Sequence, residues 1–94
     1  MKVEIDGISY VPKDTRSGRV EIGEIVRVTS TVRSMARTAV LSKYGIVHNY
    51  SYKNGQFGVR FPGFRLGHTL DGALSDPEGQ WLYAEELEAV NDWN

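Results

Sequence analysis

A small, mainly β domain, closed or half-closed into a barrel, is the fold class this sequence predicts. Three observations carry the expectation. Short runs of β-branched and aromatic residues alternate with polar ones, two Asx-Gly pairs each sit between such runs, and one long Gly- and Pro-punctuated connection precedes a closing segment. The 94 residues, 40% of them hydrophobic, make a single domain spanning 1–94 around one core.

The first element is a hairpin over residues 2–11. Asp6-Gly7 is a preferred two-residue turn and fixes the register, so that Ile5 opposes Ile8, Val3 opposes Tyr10, and Glu4 and Ser9 share the other face. Pro12 ends the strand by removing a backbone donor, and KDTRSG at 13–18 reads as a polar loop. From Glu21 to Thr31 the density of β-branched residues predicts a strand with Val26, Val28 and Val32 on one face and Arg27 on the other.

Residues 31–43 admit two readings. Val32, Met35, Ala36, Ala39 and Val40 recur at helical spacing between a candidate N-cap at Ser30 and a stop at Gly45, yet the same residues fit a long exposed loop followed by a strand through AVLSKYG. The spacing tips the balance toward one short helix near 31–43. Residues 46–61 form a second hairpin turning at Asn54-Gly55. Counting outward from a two-residue turn sets Tyr52 against Phe57, Tyr50 against Val59 and His48 against Phe61, an aromatic face expected to form the main core. Residues 62–80 are a long connection, QWLY at 80–83 is a short strand, and AEELEAV at 84–90 forms one helical turn with Leu87 and Val90 inward. Trp93 gives the final residues a side chain to dock.

Composition narrows the function classes. The absence of cysteine excludes disulfides, thiolate metal sites and a cysteine nucleophile, and fits a reducing compartment. MKVEIDG lacks the apolar core of an export signal, and no run approaches the roughly 18 apolar residues of a membrane helix, so a cytoplasmic location with no membrane partner is expected. Charge is bipolar along the chain. Residues 1–65 hold all eleven Lys and Arg with five acids, whereas 66–94 hold seven acids and no Lys or Arg. In a compact fold these halves are expected to interleave and neutralise each other.

The run EIGEIVRV (21–28), then GHTLDG (67–72), then GQWLYAEELEAV (79–90) resembles a pattern found in small uncharacterised proteins of bacteriophages and related mobile elements. That resemblance implies an SH3-like barrel over 20–90, with the hairpin 2–11 appended outside it. The chain departs from the pattern at Gln80-Trp81, where a tandem tryptophan is usual, and from Ser30 to Lys43, which is longer and more basic than such a connection requires. Function particular to this protein is expected in those departures and in the appended hairpin.

Each candidate site has a plain structural alternative. Arg27, Arg33, Arg37 and Lys43, with Arg60, are placed to contact a partner or phosphates, or else form a solvated surface. Tyr44, Trp81 and Tyr83 offer an aromatic surface of the kind SH3-like barrels use for extended peptides, with DGALSDPE at 71–78 as an acidic loop; the alternative for Trp81 is half-buried core. His68 with Asp71 is expected to structure its Gly-flanked loop. Ser75 and Thr69 lack the surroundings of a nucleophile, so no catalytic residues are assigned, and His48 with His68 is too weak a pattern for a metal site. No nucleotide or dinucleotide loop is present, and no cofactor is expected.

The expectation is therefore a non-enzymatic binding protein. The resemblance implies a phage-type accessory or inhibitor protein that occupies a site on a host macromolecule, most simply another protein. The alternatives are a nucleic-acid-binding barrel using the 27–43 basic segment, and an oligomeric sponge for a small anionic nucleotide.

Overall fold

The computed structural model describes residues 2–12 and 20–90. The polar loop at 13–18 and the docking of Trp93 lie outside those residues. Among the described residues seven strands run in chain order: β1 Val3–Ile5, β2 Ile8–Tyr10, β3 Ile25–Val28, β4 Tyr44–Ser51, β5 Gln56–Arg60, β6 Gly79–Leu82 and β7 Leu87–Ala89. β1 and β2 form a two-stranded sheet, and the other five form an antiparallel sheet in the order β6-β5-β4-β3-β7. A meander of four strands is thus followed by a single 3-10 turn, Ala84–Glu86, after which β7 returns to pair with β3. The fold is mainly β, a small barrel with an N-terminal hairpin, as the sequence predicts.

Alternation explains the two faces of the large sheet. Val26 and Val28 on β3, Val47 on β4, Val59 on β5 and Leu82 on β6 point inward, where they pack with Val40, Phe61 and Leu87 as one fully buried core. The outward residues Ile25 and Ile46 are covered by the N-terminal hairpin through Val3, Ile5 and Tyr10, with Val90 alongside. The hairpin register matches expectation pair for pair: Val3 with Tyr10, Glu4 with Ser9, and Ile5 with Ile8. Asp6 and Gly7 both hold positive φ, 52° and 78°, which is the two-residue turn that suits the twist of antiparallel strands.

The second hairpin differs from its predicted register. Tyr50 faces Phe57 and Ser51 faces Gln56, so the turn has four residues, Tyr52 to Gly55, and not two. Its cause is local. Gly55 N–H donates to the Ser51 carbonyl at 2.8 Å, and Asn54 N–H donates to Ser51 Oγ at 3.3 Å, closing a wider loop in which only Gly55 needs positive φ. A bulge between Val47 and Asn49 then shifts the register once more. Val47 therefore meets Val59 in the core, His48 turns outward, and Tyr52 is left at the exposed loop tip.

Residues 31–43 form no α-helix. A turn over 32–35 leads to one 3-10 turn, Thr38–Val40, and of the helically spaced residues only Ala36 and Val40 reach the core. Val32 and Met35 project into solvent. The closing segment is likewise shorter than the predicted helical turn, since Ala84–Glu86 is 3-10 and Leu87 already belongs to β7; Leu87 is buried in the main core as expected, whereas Val90 is half-buried and packs on the opposite face, beside Ile25 under the hairpin.

Candidate functional site

Between β3 and β4 the chain makes a long excursion, residues 29–43. Its stem is tied to neighbouring backbone. Val28 N–H donates to the Lys43 carbonyl at 3.0 Å, Ser42 N–H to Val28 at 2.9 Å, and Thr29 N–H to Glu86 at 2.8 Å. Thr31, Ala36 and Val40 turn inward as anchors. Two buried polar side chains from the far end of the sequence then fix the middle. Glu86 accepts from Ser34 N–H at 3.2 Å and from Tyr83 N–H at 3.0 Å, while Gln80 Oε1 accepts from Arg37 N–H at 3.0 Å. Both side chains are almost wholly buried, so their polar atoms must be satisfied within the protein, and the loop backbone supplies the partners. Gln80 Nε2 donates to the Gly79 carbonyl at 2.9 Å.

What the loop presents is set by this pinning. Val32 is 84% exposed and Met35 88%, Arg33 lies 3.9 Å over the Tyr83 ring and pairs with Glu85, and Arg37 is exposed. Met35 holds φ +58°, a left-handed conformation that an unbranched non-glycine side chain adopts at a cost. Ser30 Oγ and Ser34 Oγ accept from Val32 N–H and Ala36 N–H, at 3.2 and 3.3 Å, and so brace the turn that carries it.

The predicted basic residues do not form one patch. Arg33 and Arg37 lie on the loop and Lys43 at its base, whereas Arg27 faces outward on β3 between Glu88 and Tyr44 in register. Arg60, on β5, donates through Nε to Glu78 at 3.1 Å. Together with Arg65–Asp76 and Arg33–Glu85, this pair joins the basic early sequence to the acidic late sequence, so the bipolar charge is folded onto itself. The predicted aromatic residues are also separated. Tyr83 supports Arg33, Tyr44 lines a groove beside the N-terminal hairpin, and Trp81 lies half-buried on the outward face across from Gly58.

The connection after β5 is organised by Leu70 and Glu78. Leu70 is fully buried against Gly58 and Gly79; a Cβ at Gly79 would collide with Leu70 itself, and one at Gly58 would collide with the Asn49 side chain and press on Leu70 and Trp81. His68 contributes through its backbone, exchanging hydrogen bonds with Gly79 at 2.7 and 2.8 Å, and among the described residues no bond joins its ring to Asp71. Glu78 accepts from Gly63 N–H at 2.8 Å, and this bond, with the Arg60 hydrogen bond and the charges of Arg60 and Arg65, outweighs burial and holds its carboxyl below the ordinary glutamate range. Because the folded value is the lower one, its contribution to stability is complete above the unfolded glutamate pKa, about 4.3, and is lost as pH falls through the folded value. Chemical unfolding at a series of pH values is expected to show this acid-side loss in the parent and a shallower slope in Glu78→Gln; equal slopes would remove Glu78 as a contributor.

Among the described residues no group of three or more His, Cys, Asp or Glu is arranged to hold a metal, and no helix is long and apolar enough to cross a membrane. Sequence reasoning found Arg33, Arg37 and Tyr83 but missed the residues that position them. Gln80 was marked only as a departure from a tandem tryptophan, and nothing in the local pattern singles out Glu86. Comparison with known proteins gives no match to any family model, curated protein or solved structure.

Proposed function

We propose that this chain is a non-catalytic binding protein that acts by occupying a site on another protein, with loop 29–43 as its contact surface. The observation that carries this reading is the contrast within the loop: its backbone is tied down by buried Glu86 and Gln80 while Val32 and Met35 stand in solvent. A pre-ordered loop loses little conformational freedom on binding, and a methionine adapts to an irregular apolar pocket. Arg37, which is exposed and enters no ion pair among the described residues, favours a partner whose pocket has an acidic rim. The phage-type resemblance adds the mode of action, an accessory or inhibitor protein blocking a host target in the cytoplasm. A nucleic-acid reading is weaker, because Arg33, Arg60 and Arg65 are each engaged by a carboxylate and the basic residues are spread over different faces.

The test compares the parent with Met35→Glu and with the double variant Arg33→Glu, Arg37→Glu. Each variant is expected to keep its melting temperature within a few degrees, since exposed substitutions usually change stability by about 0.5 kcal/mol or less and exposed ion pairs contribute about 0 to 1 kcal/mol. A partner captured by the parent from host lysate and then purified is expected to bind each variant at least about tenfold more weakly, a difference of about 1.4 kcal/mol. The gap for the arginine variant should narrow as salt is added. A partner bound equally well by all three proteins sinks the loop as contact surface, and a steeply salt-dependent gel shift with nucleic acid would transfer the assignment to that class.

A further inference from the structure

The N-terminal hairpin carries a feature that the loop does not share, an open strand edge facing a walled groove. Among the described residues β1 pairs with β2 alone. In a hairpin closed by a two-residue turn, the pair beside the turn exchanges both its hydrogen bonds and the next pair exchanges none. Ile5 and Ile8 are the first pair, so the N–H and C=O of Glu4 point away from β2, and no backbone group of the described residues takes them up. An open groove of about 440 Å³ lies along this edge, with Glu4, Ile5 and Asp6 on one side and Tyr44, Pro62 and Phe64 among the residues on the other. No β2 residue lines it. Its volume falls within the roughly 300 to 1,000 Å³ of ordinary ligand sites.

The groove is also held open. Asp6, at the hairpin tip, rests against Gly63, where a Cβ would come within 2.8 Å of the carboxylate, so the tip and the barrel touch there. Gly63 holds φ +85°, and a side chain there would meet both strain and collision. Lys43 lines the groove as well, and Glu4 and Asp6 together outnumber it. None of these three enters an ion pair among the described residues.

We propose that this groove accepts an extended segment of a partner protein, added as a strand to β1, with an apolar residue against Tyr44 and Phe64 and a basic neighbour at Glu4. Main-chain bonds to the Glu4 N–H and C=O supply the shared part of the recognition, and the alternating side chains of the added strand supply the choice. The edge that carries the assignment belongs to a different segment from loop 29–43, and Lys43 at the base of that loop is the one lining residue common to both.

The probe is a capped hexapeptide alternating Lys and Val, titrated against the isotope-labelled protein, beside the same peptide with its central amides N-methylated. Amide shifts are expected at Glu4, Asp6, Tyr44 and Phe64, with the methylated peptide at least about tenfold weaker because it cannot complete the ladder. Glu4→Pro gives the complementary loss. It removes the outward N–H at a position where an edge strand tolerates proline, and Glu4→Gln, which keeps that N–H, is expected to bind more tightly than Glu4→Pro. Absence of binding at millimolar peptide, equal binding of the methylated peptide, or shifts confined to 29–43 would each overturn the proposal. So would a dimer of the free protein that Glu4→Pro dissociates, which would make a second copy the occupant. If Glu4→Pro fails to fold, the methylated peptide alone decides.

Discussion

Phe61→Ala is expected to lower the melting temperature by about 15 to 30 °C, the largest effect of any single substitution considered. Phe61 is 1% exposed and packs among Val26, Val28, Val47, Val59 and Leu82, with Phe64 edge-on at a centroid distance of 6.5 Å. Emptying such a site costs about 3 to 5 kcal/mol, through the lost transfer energy and the cavity left behind. For a domain of this length the whole stability is only about 5 to 14 kcal/mol, and each kcal/mol moves the midpoint by about 4 to 8 °C. Relaxation is limited because the surrounding side chains are valines on paired strands, which have few rotamers with which to fill the space. Phe61→Leu keeps most of the volume and is expected to lose about half as much or less. Calorimetry of the two variants checks both figures, and a loss below about 1 kcal/mol for the alanine would mean that Phe61 does not sit in the main core.

Glu86→Ala comes second, and its effect divides between stability and order. The carboxylate accepts from Ser34 and Tyr83, so its removal leaves two backbone N–H groups without their acceptor. Each buried donor left in that state costs about 1 to 3 kcal/mol, and a total of about 2 to 4 kcal/mol is expected because the loop can turn Ser34 toward water. That escape is the informative part. Hydrogen exchange at Ser34 to Arg37 should rise well above the rise at Val47 and Val59, since the loop is released while the core stays paired. Glu86→Gln keeps one carbonyl acceptor and is expected to fall between parent and alanine. Uniform acceleration of exchange across the protein would instead mean that Glu86 holds the whole fold together and has no special claim on the loop.

Local chemistry was legible in the sequence and non-local chemistry was not. Asp6-Gly7 dictated the first hairpin because both residues accept positive φ, and the register followed pair by pair. Asn54-Gly55 offered the same signal but sits at the end of a four-residue turn, because Ser51 accepts from both Asn54 and Gly55. Val32, Met35, Ala36 and Val40 carried genuine helical spacing, yet Gln80 and Glu86 divert the backbone by taking its N–H groups from the far end of the chain. No window of neighbouring residues contains that competition. For the candidate site, sequence reasoning therefore located the segment and its arginines, while the exposure of Val32 and Met35, which share a helical spacing with the inward Ala36 and Val40, emerged only with the fold.

The return of β7 to β3 also governs when the barrel can form. Val26, Arg27 and Val28 pair with Ala89, Glu88 and Leu87, so the first strand of the large sheet waits for residues some sixty positions later in synthesis. Until the ribosome has released that segment, β3 has one bare side, Gln80 and Glu86 are not yet in place beneath loop 29–43, and the emerged chain carries the positive charge of residues 1–65 without its later acids. The contacts that close the sheet are thus distant in sequence, the kind whose loop-closure entropy must be met before they stabilise the fold.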